Sequence, residues 1–178
     1  MAKKKARKKS PARKPARKKK AAVKRRAKVS AIPKGFHSVT PYLAVRGGRQ
    51  AIDFYVKAFG AKELSVFQDG DRIAHAELQI GDARLNLADE NKELGFLAPA
   101  PGQTSSTNLM LYLKDVDGTV ERAVTGGAKL ERPVADQFYG DRLGVIVDAF
   151  GYRWYVATHI EDVSDKELMK RMKAMETG

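Results

Sequence analysis

The chain repeats itself. Residues 140–159 read GDRLGVIVDAFGYRWYVATH, and residues 70–89 read GDRIAHAELQIGDARLNLAD. The Gly-Asp-Arg opening recurs 70 residues apart, and so does the turn glycine, Gly81 against Gly151. Beyond the turn the best alignment slips to 69, setting Arg84-Leu85-Asn86-Leu87-Ala88 against Arg153-Trp154-Tyr155-Val156-Ala157. Each copy reads as two strands joined by a turn. Two modules of this length are too few and too long for a solenoid, so the fold must be one unit built twice.

The elements ahead of each hairpin repeat too. Val39-Thr40-Pro41-Tyr42-Leu43-Ala44-Val45 reads as a strand, with Pro41 suited to an edge or an early position. Gly47-Gly48 breaks it, and Ile52, Tyr55, Val56 and Phe59 then follow the i, i+3, i+4, i+7 stripe of a helix. Gly60 is placed to stop that helix in the left-handed conformation. A short strand over 63–68 and a turn at Asp69-Gly70 lead into the first hairpin. Residues 90–106, with Pro99, Pro101 and Gly102, read as a linker.

Beyond the linker the order restarts. A strand over 108–113 precedes a helical stripe of Val116, Val120, Ala123 and Val124, which Gly126-Gly127 ends. A strand over 130–137 then enters the second hairpin. The expected fold class is α+β: two βαβββ modules, about 36–89 and 107–159 within a domain of 35–160, forming a curved mixed sheet around a shared cleft. Ser164-Asp165-Lys166-Glu167 fits a capping box, and Leu168, Met169, Met172 and Met175 after it predict an amphipathic helix in 161–178. Its Met stripe is expected to be a packing face.

Charge divides the chain sharply. Of 34 Lys and Arg, 16 lie in residues 1–28 with no acidic residue, leaving 18 basic against 21 acidic residues, a net of −3, in the rest. The basic residues include Lys3, Lys4, Lys5, Arg7, Lys8, Lys9, Arg13, Lys14, Arg17, Lys18, Lys19, Lys20, Lys24, Arg25 and Arg26. With Ala and Pro between them and Val23 as the one large apolar residue, residues 1–34 cannot offset the entropy of ordering and are expected to be disordered. Compositionally the segment resembles the Lys/Ala/Pro tails of linker histones. Non-specific contact with nucleic-acid phosphates is the expected role, against that of a solvated tail. The chain has no cysteine, no apolar run of about 18 residues and no apolar segment of a secretory signal, so a cytoplasmic location, the nucleoid included, is expected and membrane partners are not.

Alternation along the first hairpin turns Leu78 and Leu85 toward the helix and His75, Glu77, Gln79, Arg84 and Asn86 into the cleft. His75 and Glu77, two apart on one face, could form an acid–base pair or ligate a metal. The competing reading is a polar wall in which Glu77 pairs with Arg84 or Arg72. Tyr155 should face the cleft, with Phe138 and Tyr139 in a loop above it. Trp154 and Phe150 read as core, and His37 and His159 as boundary residues.

Thr40-Pro41-Tyr42-Leu43, Ala51-Ile52-Asp53-Phe54-Tyr55, His75-Ala76-Glu77-Leu78, Gln137-Phe138-Tyr139-Gly140-Asp141-Arg142 and Asp148-Ala149-Phe150-Gly151-Tyr152-Arg153-Trp154 together resemble the vicinal oxygen chelate superfamily. That superfamily includes glyoxalase I, bleomycin-resistance proteins and extradiol dioxygenases, and the resemblance is to its PhnB-like, glyoxalase-like branch. There, Pro usually stands at Ala149 and His at Tyr152. The resemblance implies four inward metal ligands, His or Glu, which fall on Thr40, Asn86, Leu109 (Asn108 or Met110 one position away) and Tyr155. None is a ligand that zinc, nickel or iron favours. The expectation is a metal-free protein binding a small molecule in a cleft of Thr40, Tyr42, His75, Glu77, Asn86, Phe138, Tyr139 and Tyr155, often across a homodimer. The alternatives are a divalent-metal lyase, isomerase or dioxygenase, and a nucleic-acid-associated protein in which the folded domain is secondary.

Overall fold

A computed structural model describes residues 29–176; the basic segment of residues 1–28, and every expectation about it, lies outside the described residues. The described chain from Ile32 onward forms one compact unit. The first module runs β1 (Tyr42–Val45), α1 (Gly48–Phe59), β2 (Lys62–Asp69), β3 (Arg72–Ile80) and β4 (Ala83–Asp89). The second runs β5 (Asn108–Tyr112), α2 (Val116–Thr125), β6 (Lys129–Asp136), β7 (Asp141–Val147) and β8 (Arg153–His159), and α3 (Asp165–Glu176) follows. The α+β class and both βαβββ modules are therefore as read from the repeat.

Each module makes its own four-stranded mixed sheet, ordered β1-β4-β3-β2 and β5-β8-β7-β6. The first strand of each pairs in parallel with the last: Tyr42 lies beside Asn86, and Met110 beside Tyr155. A parallel pair needs a crossover, and the helix supplies it. Gly60 ends α1 with φ 68 and a backbone N–H to the Tyr55 and Val56 carbonyls, the left-handed stop expected.

Helix starts are sealed by residues 69 apart, the repeat's own offset. Asp89 Oδ1 accepts from the N–H groups of Gly47 and Gly48 at 2.9 and 2.8 Å, at the start of α1. Thr158 Oγ1 accepts from Val116 N–H at 3.0 Å, at the start of α2. In both modules the end of the last strand thus satisfies donors that the helix leaves open.

Both helices belong to one core. It gathers Ile52, Tyr55 and Phe59 of α1, Val120 and Ala123 of α2, Leu78, Leu85 and Leu87 of the first sheet, and Ile146, Trp154 and Val156 of the second. The Phe59 and Trp154 rings lie 4.8 Å apart, and Trp154 and Phe150 pack as expected. At its centre is a buried carboxylate: Asp148 Oδ2 accepts from Tyr55 OH and Trp154 Nε1, each at 2.8 Å, and Oδ1 from the N–H groups of Phe150 and Tyr152 at 2.9 Å. Tyr152 OH then donates to the Ala44 carbonyl of β1 at 2.8 Å. The segment that resembles the branch motif therefore pins the second module to the first.

The helix-facing sides of the two sheets look into this core, and their open sides are turned away from it. Strands pair only within a module. No strand pairing joins the two open faces among the described residues. Nor does the Met stripe of α3 find a packing surface: Met169, Met172 and Met175 are exposed. The helix is held instead through Arg171, which donates to both oxygens of Glu161 (2.8 and 2.7 Å) and to the Phe138 carbonyl (3.1 Å). Among the described residues no helix is long and apolar enough to cross a membrane.

Candidate functional site

The open face of the first sheet is polar. A bulge at Ala74 of β3, where the register shifts between Phe67 and Gln68, sets the alternation so that His75, Glu77 and Gln79 leave the core. Tyr42 OH and His75 Nδ1 share a hydrogen bond of 2.9 Å, and the two rings meet edge-on at 5.4 Å. Phe96, from the linker, packs on Tyr42 at 4.9 Å. His75 Nε2 lies 3.7 Å from Glu77 Oε1, beyond hydrogen-bond reach. Asn86 pairs across the sheet with both Tyr42 and Glu77, and its buried Oδ1 has no donor.

Glu77 pairs with neither arginine suggested for it. Arg84 donates to the Gly35 carbonyl at 3.2 Å and stacks over Phe36, while Arg72 reaches Asp69. The N-terminal approach to β1 claims Arg84 first, and the turn claims Arg72. His37, just beyond Phe36, lies outside any strand, as expected.

The second open face is aromatic and apolar. Tyr155 stands between Val145 and Met110 in the pairing, and Val145 pairs on to Arg132. The Arg132 guanidinium lies 5.3 Å from the Tyr155 ring centroid. Leu143 and Ala157 extend the apolar floor. The Tyr139 hydroxyl is pushed up by burial and by the charge of Asp141, with Arg132 opposing. Phe138 packs on Tyr139 edge-on at 5.3 Å.

Beside that face lies a network that sequence reading missed. Asp141, 4% exposed, accepts from Tyr112 OH at 2.8 Å and joins His159 Nδ1 at 2.8 Å. His159 Nε2 reaches Asp162 Oδ1 at 3.1 Å, and the bonds to Asp141 and then Asp162 hold the imidazole pKa above its ordinary value. The signal was the Gly-Asp-Arg tripeptide. Gly140 has φ 99, and a Cβ there would collide with the Glu161 carbonyl oxygen, so only glycine lets the chain beyond His159 fold back past this turn.

Of the four positions that the family resemblance implied as ligands, Leu109 is a correction. It packs against the helical core, whereas Asn108 and Met110 pair with Arg153 and Tyr155 on the open side. Thr40 lies two residues before β1, and Asn86 and Tyr155 lie on open faces. No group of three His, Cys, Asp or Glu converges among the described residues. Two donors from one strand, His75 and Glu77, make too small a set for a divalent transition metal.

Two βαβββ modules, a parallel first and last strand in each and a polar and an aromatic open face are the geometry against which known proteins can be compared. The profile of the Glyoxalase/Bleomycin resistance protein/Dioxygenase superfamily matches residues 35–156. The chain belongs to this superfamily. The Mycobacterium tuberculosis protein Rv0887c is 33% identical over 145 residues, 79% of this chain and 85% of that protein. The Arabidopsis thaliana At5g48480 product superposes with a TM-score of 0.56 at 26% identity, covering 68% of this chain and 98% of the other. The PhnB protein of Bacillus cereus superposes with a TM-score of 0.55 at 14% identity over 68% and 99%, a likeness of fold. Within this glyoxalase-like superfamily the chain carries the shared scaffold.

Proposed function

We propose that this glyoxalase-superfamily chain is a metal-free binding protein that takes a small molecule with a flat apolar part and an anionic or hydrogen-bond-accepting end. The observation that carries it is Arg132 over Tyr155. Arg132 makes no ion pair among the described residues, and it lies over an aromatic ring beside an apolar floor. A flat ligand can stack where Tyr155, Met110 and Val145 meet, and Arg132 and Tyr139 can fix its polar end.

A second copy of the chain completes the cleft in this reading. Tyr42, Phe67, Met110 and Tyr112 stay 48%, 62%, 48% and 56% exposed on the two open faces. Paired across a homodimer, the polar face of one copy would supply Tyr42, His75, Glu77 and Asn86 opposite the aromatic face of the other. Asn86 Oδ1, which lacks a donor, is then an acceptor for the ligand. The basic segment adds a separate, sequence-tolerant contact with nucleic acid, supported by its 16 positive charges beside a body of net −3.

Sedimentation combined with thermal-shift screening of aromatic carboxylates and antibiotics tests the reading. The expected result is a dimer and a hit whose stabilisation is lost in Tyr155→Ala and in Arg132→Ala. A strictly monomeric protein, or a hit that stabilises both variants as well as it does the wild type, overturns it.

A further inference from the structure

A groove of ≈ 800 Å³ lies between the modules, bounded by the end of α1, the β3–β4 turn at Gly81 and the junction of β5 with α2. Leu113 and Tyr112 contribute apolar surface, Phe59 being only 4% exposed, and Lys57, Lys114, Asp115 and Arg122 line it as well. Arg122 is engaged: it donates to Thr119 Oγ1 at 2.9 Å and to the Ala58 carbonyl at 3.3 Å, and Asp115 lies 3.7 Å away. The one carboxylate of the lining, Asp115, is thus beside Arg122, and His159 on the rim is claimed by Asp141 and Asp162.

Lys57 and Lys114 are different. Neither makes an ion pair or a side-chain hydrogen bond among the described residues, and both are exposed on their elements. The groove therefore presents two uncompensated positive charges beside apolar surface, in a size range typical of small-molecule sites. Tyr112 and His159 line its rim at the edge of the second open face, whereas neither Tyr155 nor His75 lines it.

We infer that this inter-module groove is a second binding site, for an amphipathic organic anion whose apolar chain lies against Leu113 and Tyr112 and whose carboxylate sits between Lys57 and Lys114. The apolar part supplies affinity by leaving water, and the two ammonium groups select the sign of the head. A neutral or cationic amphiphile satisfies only the first condition. A short carboxylate satisfies only the second.

Calorimetric titration of the full chain with dodecanoate below its micelle concentration tests the assignment, with dodecylamine and butanoate as probes of head and chain. Dodecanoate is expected to saturate at one per chain, and both other probes to bind at least about tenfold more weakly. The double variant Lys57→Glu, Lys114→Glu should lose about tenfold or more in dodecanoate affinity while keeping the wild-type unfolding midpoint, because both side chains are exposed. Tyr155→Ala, which alters the open face, should bind dodecanoate as the wild type does. Absent binding, equal binding of dodecylamine, an unchanged double variant, or loss of binding in Tyr155→Ala would each overturn the site.

Discussion

Tyr55 and Asp148, 93 residues apart, meet at 2.8 Å inside the core, and their bond ties the first module's helix to the second module's last turn. Burial pushes the Asp148 carboxyl above its ordinary range, against the lowering effect of the bonds from Trp154, Tyr152, Tyr55 and Phe150. Removing one donor from a buried carboxylate leaves it short of compensation. Tyr55→Phe should therefore cost about 1–3 kcal/mol of unfolding free energy, read from urea denaturation.

The same carboxylate fixes a sign for pH dependence. Its native pKa is raised, so between the ordinary Asp range and that raised value the native state binds the proton more readily than the unfolded chain does. Stability should fall as pH climbs through that window and level off above it. Denaturant midpoints across the window, compared with those of Asp148→Asn, check this: the variant should lack the fall. A wild-type curve that rises through the window contradicts it.

His159 works at higher pH. Its pKa is raised by Asp141 first and Asp162 second, so its contribution to stability is full below the ordinary imidazole value and is lost as pH rises through the raised native one. Nuclear magnetic resonance titration should find the native imidazole above its ordinary value. In Asp141→Asn it should move back toward that value.

Metal content separates binding protein from metalloenzyme. With His75 and Glu77 the two close donors of the polar face, protein dialysed against zinc, nickel, iron or manganese should retain no stoichiometric metal. One tightly held equivalent that disappears in His75→Ala or Glu77→Ala would revive a metal-dependent lyase or dioxygenase.

The basic segment can be tested by subtraction. Full-length chain should bind DNA or RNA with little sequence preference and with affinity that falls steeply as salt rises. A chain beginning at Pro33, which keeps nearly all of the compact unit, should lose most of that affinity. Equal binding by both would assign the contact to the folded body.

The fold was legible because two signals agreed: a helix stripe ended by Gly60, and a hairpin that recurs at a fixed offset. Register was legible but misread at Leu109, where Leu109, Leu111 and Leu113 alternate with Asn108, Met110 and Tyr112 and so mark the core side. Asp141 shows what sequence leaves open. Its counterpart Asp71 sits in the same tripeptide and is exposed, whereas Asp141 is buried because Tyr112, His159 and the returning chain surround it. Which faces of the modules meet was not legible either. Contacts such as Phe59 with Trp154 decide it, and they join residues that no local pattern links.

The separation between the shared core and the outward faces has an evolutionary corollary. Side chains such as Tyr42, Phe67, Met110 and Arg132 support little of the packing, so exchanging them alters what is recognised at small thermodynamic cost. Tyr55, Asp148, Trp154 and Phe59 have no such freedom. The chain can thus drift from one ligand to another by surface substitution, while the buried contacts that join its duplicated halves restrain the architecture from drifting with it.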